Sequence, residues 1–118
     1  MKAGHLEIGR LGETFAREYL RRNGYKIIEQ NYRNRYGEID LVVQKKDVLV
    51  FVEVRTKIGE QFGTPEETLN WKKLQKVKRN ASSYVARSKW NKLYRVDGIC
   101  IVLDEQHTIQ RFEHYENI

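Results

Sequence analysis

The sequence contains one cysteine and no long hydrophobic run. A lone cysteine excludes an intramolecular disulfide. Cys100 lies within the apolar stretch 98–103, so we expect a small core residue in a reducing compartment rather than a nucleophile. The N-terminal stretch 1–13 lacks an apolar signal core, and no segment approaches the length that crosses a membrane. We therefore expect a cytoplasmic protein with no membrane partner.

The sequence contains charged residues of both signs, with an excess of basic ones. Lysine and arginine number 22 against 16 acidic residues, which gives a formal net charge of +6. With 118 residues, 32% charged and 40% hydrophobic, and no internal repeats, the chain predicts one globular domain over 1–118. Its charge favours a polyanionic partner such as nucleic acid, although a basic surface also serves solubility alone. The sequence is compatible with a homodimer but does not set the oligomeric state.

Apolar periodicity and turn residues predict an α/β chain. The elements follow in the order helix, three strands, helix and two strands, over 5–23, 25–32, 38–44, 48–56, 64–88, 95–103 and 108–112. Thr64 is the expected N-cap of the second helix, with Pro65 in its first position and Glu67 completing a capping box. A helix between strands 48–56 and 95–103 predicts that these strands are parallel neighbours. The last strand is expected at a sheet edge.

Three carboxylates and an arginine interrupt the apolar strands of the central hairpin. Alternation puts Glu38 and Asp40 on one face of the first strand, and Glu53 and Arg55 on one face of the second. A loop of two or four residues sets Asp40 opposite Glu53, whereas a three-residue loop sets them on opposite faces. Opposed carboxylates repel each other unless a positive charge lies between them, so the first register predicts a divalent cation with oxygen ligands. The alternative is a set of solvent-facing charges on an exposed hairpin.

The first helix carries a further carboxylate, Glu13, on the same side as Ala16 and Leu20. This position predicts either an inward-facing group or one at the edge of the apolar face that pairs with Arg17, and the helix alone favours neither. Gly12 and Ala16 lie one turn apart, which predicts a close approach of this helix to a neighbouring element.

Two basic segments are candidates for phosphate contacts. The segment 72–79 of the second helix carries five cations and no acid, and the segment 31–36 interleaves Asn, Tyr and Arg in an expected turn. A solvated helix face and an ordinary polar turn are the alternatives. The predicted nucleic-acid contacts are Arg33, Arg35, Lys72, Lys73, Lys76 and Arg79. His107 and His114 lack neighbouring metal ligands in the sequence and are expected at the surface.

These motifs together resemble a known family. Glu13, GEID at 37–40 and VEVR at 52–55 resemble the PD-(D/E)xK nuclease superfamily in an αβββαβ frame. More closely, the chain is similar to the small bacterial YraN-like family, which is predicted to be nuclease-related and is distantly akin to archaeal Holliday-junction resolvases. The resemblance covers nearly the whole chain, through GETFA at 12–16, NYR at 31–33, GEIDLV at 37–42, FVEVR at 51–55, FGTPEE at 62–67 and RVDG at 95–98.

The resemblance implies a restriction-endonuclease-like fold, with a mixed central sheet flanked by helices, and a site for Mg²⁺ or Mn²⁺. It implies that Asp40 and Glu53 are metal ligands. Glu13 would be a third carboxylate near the metal, and the backbone carbonyl of Val54 a further ligand. The resemblance therefore favours the inward-facing interpretation of Glu13.

Two positions depart from the superfamily signature. Ile39 stands where a proline precedes the aspartate, at a position that varies, and Arg55 stands where the signature has lysine. Because arginine keeps its proton near neutral pH, Arg55 cannot be a general base, but it can hold the scissile phosphate. Lys57 can take the lysine's place, with the metal activating the attacking water. The predicted catalytic set is Glu13, Asp40, Glu53, Arg55 and Lys57.

The expected function is metal-dependent hydrolysis of phosphodiester bonds in DNA, on branched or otherwise structured DNA. The first alternative is a nucleic-acid-binding module that keeps the nuclease fold without turnover, because Arg55 replaces the lysine. The second alternative is a structural protein whose acidic cluster is a buried hydrogen-bond network without affinity for metal.

Overall fold

A mixed sheet of five strands lies between two long helices. The computed structural model describes residues 4–118; Met1, Lys2 and Ala3, which begin the N-terminal stretch, lie outside the described residues. The elements are α1 His5–Arg22, β1 Lys26–Asn34, β2 Gly37–Lys45, β3 Val48–Ile58, a short 3₁₀ helix Pro65–Thr68, α2 Trp71–Ser88, β4 Leu93–Leu103 and β5 Ile109–Tyr115. The predicted α/β class is confirmed, and the arrangement is consistent with a restriction-endonuclease-like core.

The strands lie in the sheet in chain order, from β1 at one edge to β5 at the other. Neighbours are antiparallel except for β3 and β4, which are parallel, as the intervening helix predicted. The edge position of β5 is also confirmed. Neither α1 nor α2, the long helices of the described chain, has the length and apolar content to cross a membrane.

Each helix covers one face of the sheet. The buried residues on the α1 side are Ala16, Leu20, Tyr25, Leu41, Val43, Val50, Val52, Val54, Ile99, Ile101 and Leu103. Those on the α2 side are Ile39, Val42, Leu49, Phe51, Val77, Ala81 and Val96. Val50 and Phe51 belong to opposite sides because successive strand residues point to opposite faces. Cys100 is buried as expected, and burial raises the pKa of its thiol to about 12.

The central hairpin has the two-residue loop that sets the carboxylates across from each other. Lys45 pairs with Val48, so Lys46 and Asp47 form the loop. The β2–β3 ladder runs from this pair to Leu41–Val52, where its pairing ends. The next position in the same register is the one that Asp40 and Glu53 occupy.

The predicted start of the second helix is wrong. Thr64 does cap a helical turn, since its Oγ1 accepts the Glu67 N–H at 3.3 Å, but that turn is the short 3₁₀ helix alone. α2 begins after Asn70, whose Oδ1 accepts the Lys73 N–H at 2.9 Å. Thr64 therefore caps a single 3₁₀ turn, and a second N-cap, Asn70, begins α2.

The predicted turn over 31–36 is also wrong, because β1 continues to Asn34 and only Arg35 and Tyr36 form the turn. Within this strand, Asn31 has φ of 50°, in the left-handed region that asparagine tolerates better than most residues. This local conformation belongs to the site described below.

Candidate metal and nucleic-acid site

The candidate site lies where the β2–β3 ladder ends. Asp40 is the first β2 residue beyond the last pair, and its Oδ2 accepts the Val54 N–H at 2.8 Å. The carboxylate thus satisfies a β3 donor that lies beyond the paired part of the ladder. The Asp40 side chain is 16% exposed and that of Glu53 is 1% exposed. The alternative of solvent-facing charges on an exposed hairpin is therefore wrong for both residues.

Glu53 is a buried carboxylate with an incomplete set of partners. Its Oε1 makes no hydrogen bond within residues 4–118, and the nearest cation, Lys73 Nζ, lies 3.9 Å away. Burial, followed by a hydrogen bond with Asp40 and the charge of Asp40, raises the pKa of Glu53 to about 9. These surroundings favour the protonated form of the Glu53 carboxyl unless a further cation lies beside it.

Glu13 reaches the same region from α1. With its amide nitrogen turned toward the carboxylates, the Asn31 side chain donates to Glu13 Oε1 at 3.0 Å and to Glu38 Oε1 at 3.1 Å. Burial, followed by the charges of Asp40 and Glu38, raises the pKa of Glu13. Arg17 donates to the Thr14 hydroxyl instead of forming an ion pair with Glu13. The inward-facing interpretation of Glu13 is the one that agrees with these contacts.

The two predicted cations of β3 have different surroundings. Arg55 Nη1 donates to the Val54 carbonyl at 2.9 Å and lies 3.4 Å from Asp40 Oδ2. Lys57 Nζ lies 3.5 Å from the position that a side chain at Gly63 would take, so it faces the loop after β3. Within residues 4–118, Lys57 forms no ion pair. The structure therefore brings Arg55, but not Lys57, to the carboxylates.

The predicted nucleic-acid contacts lie on α2, at the end of β1 and in the turn after β1. Lys72, Lys76 and Arg79 are exposed on α2, whereas Lys73 turns toward Glu53 and is half-buried. Arg33 pairs with Glu38 at 3.0 Å. The Arg35 guanidinium lies 5.0 Å from the centre of the Tyr36 ring.

Two asparagines that line this region were missed by sequence reasoning. Asn31 joins Glu13 to Glu38, and its left-handed conformation gave no signal in the sequence. Asn80 is 1% exposed, and its Oδ1 accepts from Asn34 Nδ2 at 2.7 Å. Asn80 was detectable in principle, since it is a polar residue on the buried stripe of α2 beside Ala81.

A group of possible metal ligands lies away from this site, on β4, on β5 and directly after β5. Asp97, His114 and Glu116 offer ligand atoms within 4.8 Å of one another. Arg95 donates to both carboxylates, and His114 Nε2 lies 2.8 Å from Asp97 and Nδ1 2.8 Å from the Tyr19 hydroxyl. An internal cation already occupies this group, which we interpret as a structural network. The surface position expected for His114 is wrong, because its side chain is 9% exposed.

The mixed sheet, its two covering helices and the carboxylates at the end of the hairpin define an α/β protein with a core of the restriction-endonuclease type. The model of the uncharacterised protein family UPF0102 matches residues 12–101, and the chain belongs to this family. The YraN-like resemblance is thereby confirmed.

Curated relatives of this chain carry the same family name. The UPF0102 protein of Pelotomaculum thermopropionicum is 39% identical over 111 residues, which cover 93% of this chain and 92% of the relative. That of Alkaliphilus metalliredigens is 39% identical over 111 residues, covering 93% and 94%. That of Caldanaerobacter subterraneus subsp. tengcongensis is 37% identical over 118 residues, covering 98% and 97%. The similarity extends over nearly the full length of both chains in each case.

Proposed function

We propose that the protein is a divalent-metal-dependent endonuclease that hydrolyses phosphodiester bonds in branched or otherwise structured DNA. The observation that carries this proposal is that Asp40 and Glu53 occupy the position beyond the last β2–β3 pair, with Glu13 of α1 near enough for the charge of Asp40 to raise its pKa. Glu53 is buried, and one of its oxygens has no hydrogen-bond partner within residues 4–118. A carboxylate in that setting is costly unless a cation or a donor completes it.

The donor set suits Mg²⁺ or Mn²⁺, because both prefer carboxylate and carbonyl oxygens over softer ligands. Asp40, Glu53 and Glu13 would hold the ion, with the Val54 carbonyl as a further ligand. When bound, such an ion lowers the pKa of water and offsets the negative charge of the phosphate. Because the protein supplies few ligands, we expect weak binding of the metal when DNA is absent.

The cations of β3 act on the phosphate in this proposal. Arg55 stays protonated near neutral pH, so it supplies charge and hydrogen bonds rather than acting as a base. Its planar guanidinium matches the oxygens of a phosphate and stabilises the charge that develops there during cleavage. Lys57, on the same face of β3, is a second cation that would reach the phosphate from the side of the loop after β3.

The exposed cations of α2 would hold the DNA backbone. Lys72, Lys76 and Arg79 lie on the helix that also carries Lys73 to the carboxylate site, so the basic surface and the site adjoin. Phosphate contacts of this kind are independent of base sequence and weaken as salt increases. The net charge of +6 agrees with a polyanionic partner.

A specific contact favours a second candidate, a nucleic-acid-binding module without turnover. Arg55 already donates to the Val54 carbonyl and lies beside Asp40, so an internal cation already contacts two of the groups that would bind metal. In that case the carboxylates would be structural and the basic surface would still bind DNA.

The experiment that separates these candidates compares wild type with Asp40→Asn on duplex, single-stranded, flapped and four-way-junction DNA, with Mn²⁺ and with a chelator. The substitution keeps the size of the side chain and removes its charge, so it should abolish metal-dependent cleavage while DNA binding is unchanged or stronger. Asp47→Asn in the hairpin loop, where the side chain is 79% exposed, is the matched control and should cleave like wild type.

Two outcomes would count against the nuclease. Wild type that binds these DNAs but cuts none of them would favour the binding module. Cleavage that survives in Asp40→Asn would mean that the activity does not come from this site.

A further inference from the structure

A cavity of about 200 Å³ lies beside the carboxylate site, between the β1–β2 turn and α2. Its polar lining consists of Tyr36, Glu38, Lys73, Lys76 and Asn80. Lys73 is also the cation nearest to Glu53, so the cavity and the carboxylate site share this side chain. The volume is below the range of about 300–1,000 Å³ typical of pockets that enclose drug-sized ligands, so this cavity can enclose only part of a ligand of that size.

Asn80 lines this cavity and has a buried, unpartnered donor. Its orientation is fixed because Oδ1 accepts from Asn34 Nδ2 at 2.7 Å, and Asn34 is itself held by its bond from the Tyr36 N–H. The Asn80 Nδ2 has no hydrogen-bond partner within residues 4–118. It is a buried donor, since Asn80 is 1% exposed. A buried donor without a partner destabilises the fold by about 1–3 kcal/mol, which an acceptor on a ligand would recover.

The remaining groups of the lining have the chemistry of nucleotide recognition. Lys73 and Lys76 are cations suited to phosphate, and Tyr36 is 39% exposed and presents an aromatic ring on which a base can stack. The carboxylate of Glu38 is the one acidic group in the lining, and Arg33 pairs with it at 3.0 Å. The lining therefore offers a cation, an aromatic ring and a hydrogen-bond donor together, which match the phosphate, face and edge of a nucleotide.

Building on the proposed action on DNA, we infer that this cavity binds one unpaired nucleotide of a DNA strand next to the site of cleavage. The base stacks on Tyr36 and places an acceptor against Asn80 Nδ2. The phosphate lies between Lys73 and Lys76. A base inside a duplex is covered on both faces and paired at its edge, so it cannot enter unless it is extruded.

This inference names the substrate class of the proposed nuclease. Single strands, flaps, gaps and junctions present unpaired nucleotides and would use both the cavity and the basic face of α2. A regular duplex would contact only the exposed cations, and we therefore expect weaker binding to it.

The test measures fluorescence anisotropy of a labelled single strand and of a blunt duplex of the same sequence, in chelator, so that metal and cleavage play no part. Tyr36→Leu should weaken single-strand binding about fivefold or more, the equivalent of one lost base stack, and leave duplex binding within about twofold. Tyr36→Phe keeps the ring and is the matched control, which should bind both DNAs like wild type.

A second variant tests the amide. Asn80→Asp keeps an oxygen that accepts from Asn34 but removes the free donor, so it should also weaken binding to the single strand selectively. Near-ultraviolet circular dichroism shows whether this buried variant is folded. If Asn80→Asp is not folded, Tyr36→Leu alone tests the inference, because Tyr36 is partly exposed and its substitution should leave the fold intact.

The outcomes separate this inference from the proposed function. Suppose that wild type cleaves DNA with Mn²⁺. If Tyr36→Leu then weakens binding to both DNAs equally, or leaves binding to both unchanged, the cavity inference fails and the nuclease proposal stands. If wild type binds neither DNA, both fail. Free dAMP should displace the strand only poorly, because it lacks the neighbouring phosphates, and displacement as effective as that by unlabelled strand would assign the cavity to free nucleotides and overturn the inference.

Discussion

Gly12 of α1 lies directly against Thr56 of β3: a β-carbon at Gly12 would lie only 1.7 Å from the Thr56 Oγ1. The helix can approach the strand this closely because glycine has no side chain. The next residue of α1 is Glu13, which reaches Asn31 and the charges of β2. The position of the third carboxylate is therefore set by packing between α1 and β3.

Gly12→Ala should destabilise the protein by about 1–3 kcal/mol, the usual effect of inserting a carbon atom into a packed contact. Gly9→Ala is the matched control, because a β-carbon there has no neighbour within 4 Å and alanine favours the helix by roughly 0.5–1 kcal/mol. Urea denaturation of the two variants measures both effects. Equal stability of the two would show that the Gly12–Thr56 contact does not constrain α1.

Asp97→Asn should destabilise the protein by about 3 kcal/mol at neutral pH, the lower end of the effect of breaking a buried pair, because Glu116 still accepts from Arg95. Burial alone would raise the pKa of Asp97, but hydrogen bonds from His114 and Arg95 outweigh it and hold the pKa below the ordinary value of 3.8. A carboxyl group with a lowered pKa stabilises the fold above its unfolded-state pKa and loses that effect in acid.

Urea denaturation between neutral and acid pH tests this pH dependence. The stability difference between wild type and Asp97→Asn should shrink as the pH falls below 3.8. Glu105→Gln, an exposed carboxyl on the turn before β5, should change stability by less than about 0.5 kcal/mol. A difference that is the same at all pH values would contradict the ionised state of Asp97.

Lys72→Glu and Lys76→Glu, combined, should flatten the salt dependence of duplex binding. Each phosphate contact that is lost reduces the slope of log affinity against log salt by about 0.9. Lys26→Glu, with an equal change of charge per residue at the start of β1, is the control and should leave the slope near that of wild type. Titrations at several salt concentrations give the slopes, and an unchanged slope in the α2 variant would mean that this helix face does not contact DNA.

Arg55→Met should lower the cleavage rate by about 10²–10³, the usual effect of removing a preorganised charge donor. Arg55→Lys restores the charge and should recover part of that loss. The rise of the rate with pH should persist in Arg55→Met, since a guanidinium does not lose its proton in this range. Single-turnover cleavage across pH measures this, and loss of the pH-dependent rise in Arg55→Met would give Arg55 a role in proton transfer.

The carboxylate hairpin was accessible from the sequence because strand geometry follows a simple rule. Side chains alternate between faces and the loop sets the register, so Lys46 and Asp47 as a two-residue loop were enough to bring Asp40 opposite Glu53. The length of the loop was left open by the sequence, because a three-residue loop would have put the two side chains on opposite faces. The end of the β2–β3 pairing at Leu41 could not be predicted from the sequence. It depends on the backbone N–H from which the Asp40 side chain accepts a hydrogen bond.

His114 and Asn80 were misjudged for the same reason, which is that the deciding partner lies far away in the sequence. His114 has no ligand-type neighbours along the chain, yet it packs against Tyr19, 95 residues earlier. Asn80 is fixed by Asn34, 46 residues earlier. The start of α2 was missed for a local reason, because the capping signal at Thr64 is equally consistent with a single turn.

The most direct measurement of the metal site is the anomalous scattering of a crystal of wild-type protein soaked in Mn²⁺. A peak within about 2.1 Å of oxygens from both Asp40 and Glu53, with Glu13 on the same side, is the expected result. Arg55 should then have moved away from Asp40 Oδ2, where it now lies at 3.4 Å. A fully soaked crystal with no peak between the carboxylates and with the Arg55–Asp40 contact intact would contradict the metal site and favour a structural role for the cluster.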